Sequence, residues 1–345
     1  MKIKHIYWFA YYNSDSPSVR YRCMMPLAWM KENKNISFDI VYPGYRWKAI
    51  RNFITVYFEI LFAGKIDSII VIQKVHTNKI YGRLLKLLVR LKIRNVIYDI
   101  DDADYLKYDP HVIHFFMRNC SSCFCGSNAI MQYNGRYNVN NVLLTSPVPY
   151  SNKIKGNKNA LFTVGWIGFY NAHRESFVQF IFEALKQIHF PVQLIILGVV
   201  KEVHSNEIKD AFRAQSNIQI KIPMDINWND DSRIQSMIAE FDAGLAPLTD
   251  TPVNASKSAF KMKQYLSCGV PVLASPVGEN AFFLQDKVNG FYCSTIEEFV
   301  LNLKLLNDMK NEDYRKLSIN ALQSSKSFTM ESYCNNFLQY CESLN

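Results

Sequence analysis

No stretch of this sequence stays apolar for the roughly 18–20 residues that a helix needs to cross a bilayer, so no transmembrane helix is expected. The opening MKIKHIYWFAYY sets lysines ahead of a short aromatic segment but lacks a small-residue cleavage site, and it reads as a first β-strand, not a signal peptide. A cytosolic protein is the resulting expectation. Cysteine is present eight times, yet a second pair of metal ligands is missing. Cys120, Cys123 and Cys125 are spaced like zinc ligands with no partners nearby, and zinc takes four. Cys123 and Cys125 alternate along SSCFCGS, as two reduced thiols on one buried strand face would. No nucleic-acid-binding module is recognisable either, although the chain is basic. Hydrophobic residues make up 49% and charged ones only 20%, which excludes a disordered chain and implies a large core.

At 345 residues two domains are expected. Strand and helix patterns alternate through both halves, which predicts parallel, doubly wound α/β sheets. Between the halves, SPVPYSNKIKGNKN (Ser146 to Asn159) is rich in Pro, Asn and Lys without apolar periodicity, and reads as a linker. Domains follow at 1–150 and 158–328. The net charge of +9 belongs to the first of them: residues 1–150 carry 20 Lys+Arg against 10 Asp+Glu, and the rest carry 19 against 20.

Three features of the first half point to ligands. Arg20 and Arg22, in SVRYRCMMPLAWM, stand near a strand-to-helix junction, where open α/β sheets hold anions; two solvated arginines are the alternative. VIYDIDDAD ends the fourth strand in Asp99, Asp101, Asp102 and Asp104, carboxylates at the edge of a sheet where ligands bind. Helices over Tyr45–Gly64 and Thr77–Leu91 mix basic residues with leucines and aromatics, and Arg83, Lys86 and Arg90 form one stripe. Such a surface suits peripheral contact with an anionic membrane, or is an ordinary solvated face.

In the second half, SKSAFKMKQYLSCGVPVLASPVGEN (Ser256 to Asn280) reads as a helix carrying Lys257 and Lys261, a left-handed cap at Gly269, a buried strand from Val270 to Ala274, and a glycine turn through Gly278, Glu279 and Asn280. A helix start with lysines beside a glycine turn can hold a diphosphate.

Phe241 to Asn280 resembles the nucleotide-sugar-binding region of family 4 glycosyltransferases of GT-B fold, in the branch with Lys-x-x-x-Lys, Gln-Tyr, Gly-x-Pro-Val and Ser-Pro-Val-Gly-x-Asn. SVRYR, VIYDIDDA and VGWIG match the same branch in order, and NGFYC fits the strand after the donor site. The resemblance implies two Rossmann-like domains facing across a cleft, the second binding the nucleotide and the first the acceptor. It implies that the final helix, 329–345, crosses back onto the first domain. It further implies retaining transfer of a sugar from a nucleotide-diphosphate sugar, UDP- or GDP-linked, to a glycan or lipid-linked acceptor in cell-surface polysaccharide or glycoconjugate synthesis, with no metal cofactor.

Many relatives carry two glutamates eight residues apart in this region, and those positions are Ser256 and Gln264 here. Glutamine still offers a donor and an acceptor to ribose hydroxyls. Transfer builds negative charge on the leaving diphosphate, so cations and close backbone should meet it. Lys257 and Lys261 are the expected cations, with Arg174 a further one, and Gly168 admits close backbone approach. Asp101 and Asp102 are expected to act on the acceptor proton or a sugar hydroxyl. An Asp-x-Asp metal site at Asp99 and Asp101 is the rival arrangement, and a protein that binds a glycan without turning it over is the rival function.

Overall fold

In the computed structural model of this chain, residues 2–65, 67–76, 79–151 and 154–344 are described. Thr77 and Asn78, expected at the start of a helix, and Asn152 and Lys153 of the expected linker lie outside them; the helix runs over Ile80–Leu91. Two compact units emerge, one of residues 1–147, 256–258 and 328–345, the other of 148–255 and 259–327.

The first unit holds strands β1 (His5–Phe9), β2 (Ser37–Val41), β3 (Ser68–Gln73), β4 (Val96–Ile100), β5 (Ser122–Cys125) and β6 (Asn141–Leu143) in the order β2-β1-β3-β4-β5-β6. All pairs are parallel. β3 and β4 are buried along their whole length, because helices cover both faces of the sheet. One core packs Tyr98, Val56, Leu85 and Phe116; the other packs Trp8, Leu27, Phe124 and Phe337. Alternation along β5 sends Cys123 and Cys125 into the first core and Phe124 into the second, as the pattern of that strand predicts. Burial pushes all three thiols of the Cys120 cluster up, that of Cys123 to about 12. The last helix, Met330–Ser343, lies in this unit, where Phe337 stacks on Trp8 with ring centroids 6.1 Å apart. Each such fully buried aromatic is worth about 2–3 kcal/mol over exposure.

The second unit holds β7 (Thr163–Ile167), β8 (Val192–Leu197), β9 (Ile218–Lys221), β10 (Ala243–Ala246), β11 (Val272–Ala274) and β12 (Gly290–Tyr292) in the order β12-β11-β10-β7-β8-β9, again all parallel. Strand order reverses between β7 and β10 here and between β1 and β3 in the first unit. In open α/β sheets that switch is where ligands sit, beyond the carboxyl ends of the strands. Within the expected linker, Lys155 meets Asp242 at 3.1 Å and the Asn159 amide donates to the same carboxylate at 3.0 Å, which ties this stretch to the second unit. Among the described residues four α-helices went unread in the sequence: Asn128–Asn134, capped by Ser127, Glu202–Ala211, and the short Pro252–Ala255 and Glu279–Phe283, the last beginning where a glycine turn was expected.

The helix expected from Ser256 is shorter. It spans Phe260–Ser267, because Ala259 takes a left-handed φ of 52° ahead of it. Lys257 therefore lies outside the helix that carries Lys261. Gly269 has the expected left-handed φ, 66°.

Candidate active site

At the switch point of the first sheet the backbone leaves β3 at Lys74, which holds a left-handed φ of 46° and is almost wholly buried. Its ammonium reaches across to the end of β4, 3.1 Å from Asp101 Oδ1, and pairs with Asp102 Oδ2. It also donates to Ser18 Oγ at 3.4 Å and lies 4.8 Å from the centre of the Tyr11 ring. Burial opposes the charge on Lys74, but the carboxylates of Asp101, Asp102 and Asp104 more than offset it and its pKa is raised. Asp101 is buried as well, and burial raises its pKa; Lys74 and Arg22 outweigh that and hold it below the ordinary carboxylate range. Asp102 is half-exposed. Close approach at Asp101 requires Gly126, where a Cβ would stand 2.6 Å from Asp101 Cα. Asp104, one turn on, has its pKa pushed up to about 6 by burial, against the pull of Lys74. Beside this group His76 stacks flat on Tyr108, 4.2 Å between centroids.

Arg22 does not line an open anion site. It is fully buried, its Nε donates to Asp99 Oδ2 at 3.0 Å, and Nη1 donates to the Leu144 carbonyl at 2.7 Å and to Ser146 Oγ at 3.3 Å. Burial disfavours its charge, yet the Asp99 carboxylate raises its pKa. Arg22 and Asp99 thus form an internal ion pair that fastens the first helix to β4 and β6. Both oxygens of Asp99 accept from Arg22, and Asp101 is held by Lys74; among the described residues no group of three or more His, Cys, Asp or Glu side chains could hold a metal ion. Arg20, half-buried, lies 4.5 Å over the Tyr21 ring. Lys257 belongs to this unit with Ser256 and Ser258. Burial, then repulsion from Lys107, lowers its pKa to about 8 against the pull of Asp102. The Ser256 carbonyl accepts from Ser127 Oγ at 2.8 Å, so Ser256 is fixed through its backbone.

At the carboxyl ends of β7 and β8, beside the switch point of the second sheet, two glycines cross. Gly168 follows β7 with φ 148° and Gly198 follows β8 with φ 112°; a Cβ on Gly198 would stand 1.8 Å from the Gly168 carbonyl oxygen. The Gly168 amide donates to Leu197 at 2.9 Å. Lys261 lies over this crossing: a Cβ on Gly168 would meet its Cε at 2.4 Å, and its Nζ is 5.2 Å from the centre of the buried Trp166 ring. Tyr265, one turn further along the same helix, is buried between β7 and β10. Its hydroxyl accepts from the Ile167 amide at 2.9 Å and donates to the Leu245 carbonyl at 3.1 Å. Gln264 is buried, not on a solvated face. Gly278, with φ 57°, leads into Glu279 and Asn280, both buried; the Asn280 amide donates to the carbonyls of Ala246, at 3.3 Å, and Ser275, at 3.2 Å, which fixes the turn to β10 and β11. Arg174 is turned away to Glu207, with Nε donating to Oε1 at 2.8 Å and to Oε2 at 3.0 Å. Its exposed ion pair leaves it a weak candidate for a diphosphate.

Lys74 and Tyr265 were not singled out from the sequence as site residues. Tyr265 had a signal, the Gln-Tyr pair before Gly269, but its role is to plug the switch point rather than to meet ligand.

Two parallel six-stranded sheets, each with a switch point at its carboxyl edge, define a two-unit Rossmann-like α/β protein of GT-B fold. Within it, residues 162–308 match the family described as glycosyl transferases group 1. No curated protein matches the sequence significantly. Among solved structures, Alr3699/HepE from Anabaena, crystallised with UDP, is 12% identical with a TM-score of 0.66, over 99% of this chain and 100% of its own. A glycosyltransferase from Rickettsia africae ESF-5 is 11% identical with a TM-score of 0.69, over 100% and 99%. Sucrose-phosphate synthase (tll1590) from Thermosynechococcus elongatus is 13% identical with a TM-score of 0.68, over 99% of both.

Proposed function

We propose that this protein transfers a sugar from a nucleotide-diphosphate sugar, UDP- or GDP-linked, to a hydroxyl of a glycan or lipid-linked acceptor, with retention of configuration, in the synthesis of cell-surface polysaccharide or glycoconjugate. The observation that carries the reading is the glycine crossing under Lys261, beside the switch point of a segment that matches glycosyl transferases group 1. Bare backbone at Gly168 lets a diphosphate come close, and the Lys261 ammonium is a cation for the charge that grows on it. Crystals of Alr3699/HepE with UDP and with UDP-glucose give the same class of ligand for a protein of this fold.

In the first unit, Lys74 keeps Asp101 ionised and orients the half-exposed Asp102, so a fixed carboxylate can take the acceptor proton or hold a sugar hydroxyl. Metal-independent transfer accords with Asp99 and Asp101 each being held by a cation of the chain. Gln264, Glu279 and Asn280 complete the proposed donor set in the second unit, the last by fixing the turn, and Lys257 in the first unit is a further proposed cation.

The test is turnover of a panel of radiolabelled UDP- and GDP-sugars by purified protein, with thermal stabilisation by UDP, GDP and CMP alongside. Stabilisation by one nucleotide with transfer or slow hydrolysis of its sugar, undiminished in EDTA, is the expected result. Stabilisation without any turnover would favour a binding protein, to which the absence of carboxylates at Ser256 and Gln264 points. Activity lost in EDTA and restored by manganese would overturn the metal-free mechanism.

A further inference from the structure

A surface helix needs one apolar face, and the helix over residues 47–63 has two. Phe53, Val56, Tyr57 and Ile60 face the core of the first unit, at helical spacing. A second row at the same spacing, Trp47, Ile50, Ile54, Phe58 and Phe62, faces solvent; Trp47 is 74% and Phe62 80% exposed, and Phe58 stacks on Phe62 with centroids 5.8 Å apart. Singly exposed apolar residues need no account, but a continuous row along four turns does.

The helix Ile80–Leu91 lies alongside. The Tyr57 hydroxyl donates to the Leu84 carbonyl at 3.1 Å, and the Phe53 and Tyr81 rings are 5.4 Å apart. Its outer face repeats the pattern in basic form: Ile80, Leu87 and Leu91 are exposed, with Arg83 and Arg90 exposed between them. Residues 79–92 hold five Lys and Arg and no Asp or Glu. On the neighbouring helix the one acid, Glu59, is engaged by Tyr7 at 2.7 Å and by Lys65 at 3.9 Å.

We propose that this face docks on an anionic lipid bilayer, with Trp47, Phe58 and Phe62 entering the interfacial layer and Arg83 and Arg90 meeting lipid phosphates. Charge selects this occupant over a second copy of the chain, since two such faces would repel, and an apolar row bordered by arginines is the pattern that interfacial helices carry. The inference stands on the first unit alone and does not depend on the transferase reading.

Sedimentation with vesicles tests it, using phosphatidylcholine alone and phosphatidylcholine mixed with phosphatidylglycerol, at low salt and without nucleotide. Binding to the mixed vesicles only is expected, weakening as salt shortens the screening length. The Trp47→Ser/Phe62→Ser and Arg83→Glu/Arg90→Glu variants should each lose about tenfold or more in vesicle affinity. All four side chains are exposed, so melting temperatures should match the wild type. Failure of the wild type to bind mixed vesicles, or equal binding by the variants, overturns the proposal. So does a dimer in light scattering that Trp47→Ser/Phe62→Ser dissolves, which would make the face a contact between copies.

Discussion

Lys74 Nζ stands 3.1 Å from Asp101 Oδ1 while pairing with Asp102, so one buried cation holds two successive carboxylates at the end of β4. Removing it leaves the buried Asp101 carboxyl without its main partner inside the protein, at a cost of about 3–5 kcal/mol. Lys74→Met is therefore expected to lower stability to urea by that amount. Pairing it with Asp101→Asn should recover a large part of the loss, as a double-mutant cycle would read. Transfer activity should not recover with stability, since the double variant lacks the fixed carboxylate.

Asp104 gives a pH dependence whose sign can be worked out. Its folded pKa, about 6, lies above its ordinary 3.8, so between those values the folded state holds more protons than the unfolded one. Stability that Asp104 supports at pH 4 is lost as pH rises through 6, up to about 3 kcal/mol. Asp104→Asn should raise the melting temperature at pH 8 and leave it nearly unchanged at pH 4. A wild-type advantage at pH 8 would mean that the ionised carboxylate is used there.

The glycine crossing separates a local effect from a structural one. Alanine at Gly198 would put a methyl 1.8 Å from the Gly168 carbonyl oxygen, which only a backbone shift relieves. Gly198→Ala should therefore lower the melting temperature and the yield of folded protein. At Gly168 the nearest atom is the Cε of Lys261, the end of a flexible side chain. Gly168→Ala should cost about 1–2 kcal/mol in stability for its φ, and should abolish thermal stabilisation by nucleotide.

These cases mark how far the sequence can be read. Among the described residues eleven strands stand where their own sequence patterns place them, because each is a local run of buried residues with its own turn signals, and Gly290–Tyr292 stands where the resemblance of NGFYC implies a strand. The left-handed cap at Gly269 was equally local. Lys74 was not legible: nothing beside it in sequence distinguishes a lysine after a strand, and its partner Asp102 is 28 residues away. Arg22 misled for the same reason. An arginine at a strand-to-helix junction looks like an anion ligand until Asp99, 77 residues on, is seen to meet it. The Lys-x-x-x-Lys spacing suggested one helical face, and only the left-handed φ of Ala259 shows that it is not one.

That break makes the two lysines separable by experiment. Lys261 lies over Gly168 in the second unit, whereas Lys257 lies in the first, where burial and Lys107 bring its pKa to about 8. Lys261→Ala is expected to reduce turnover about 10–100-fold, as loss of a cation at a leaving diphosphate does. Lys257→Ala should behave differently. The wild-type ammonium loses its proton as pH rises through 8, so any nucleotide affinity that it supplies falls over that range in the wild type and is already absent in the variant. The two titration curves should converge above pH 9. Parallel curves would show that Lys257 is not a donor-site cation, and unchanged turnover in Lys261→Ala would remove Lys261 from the proposed mechanism.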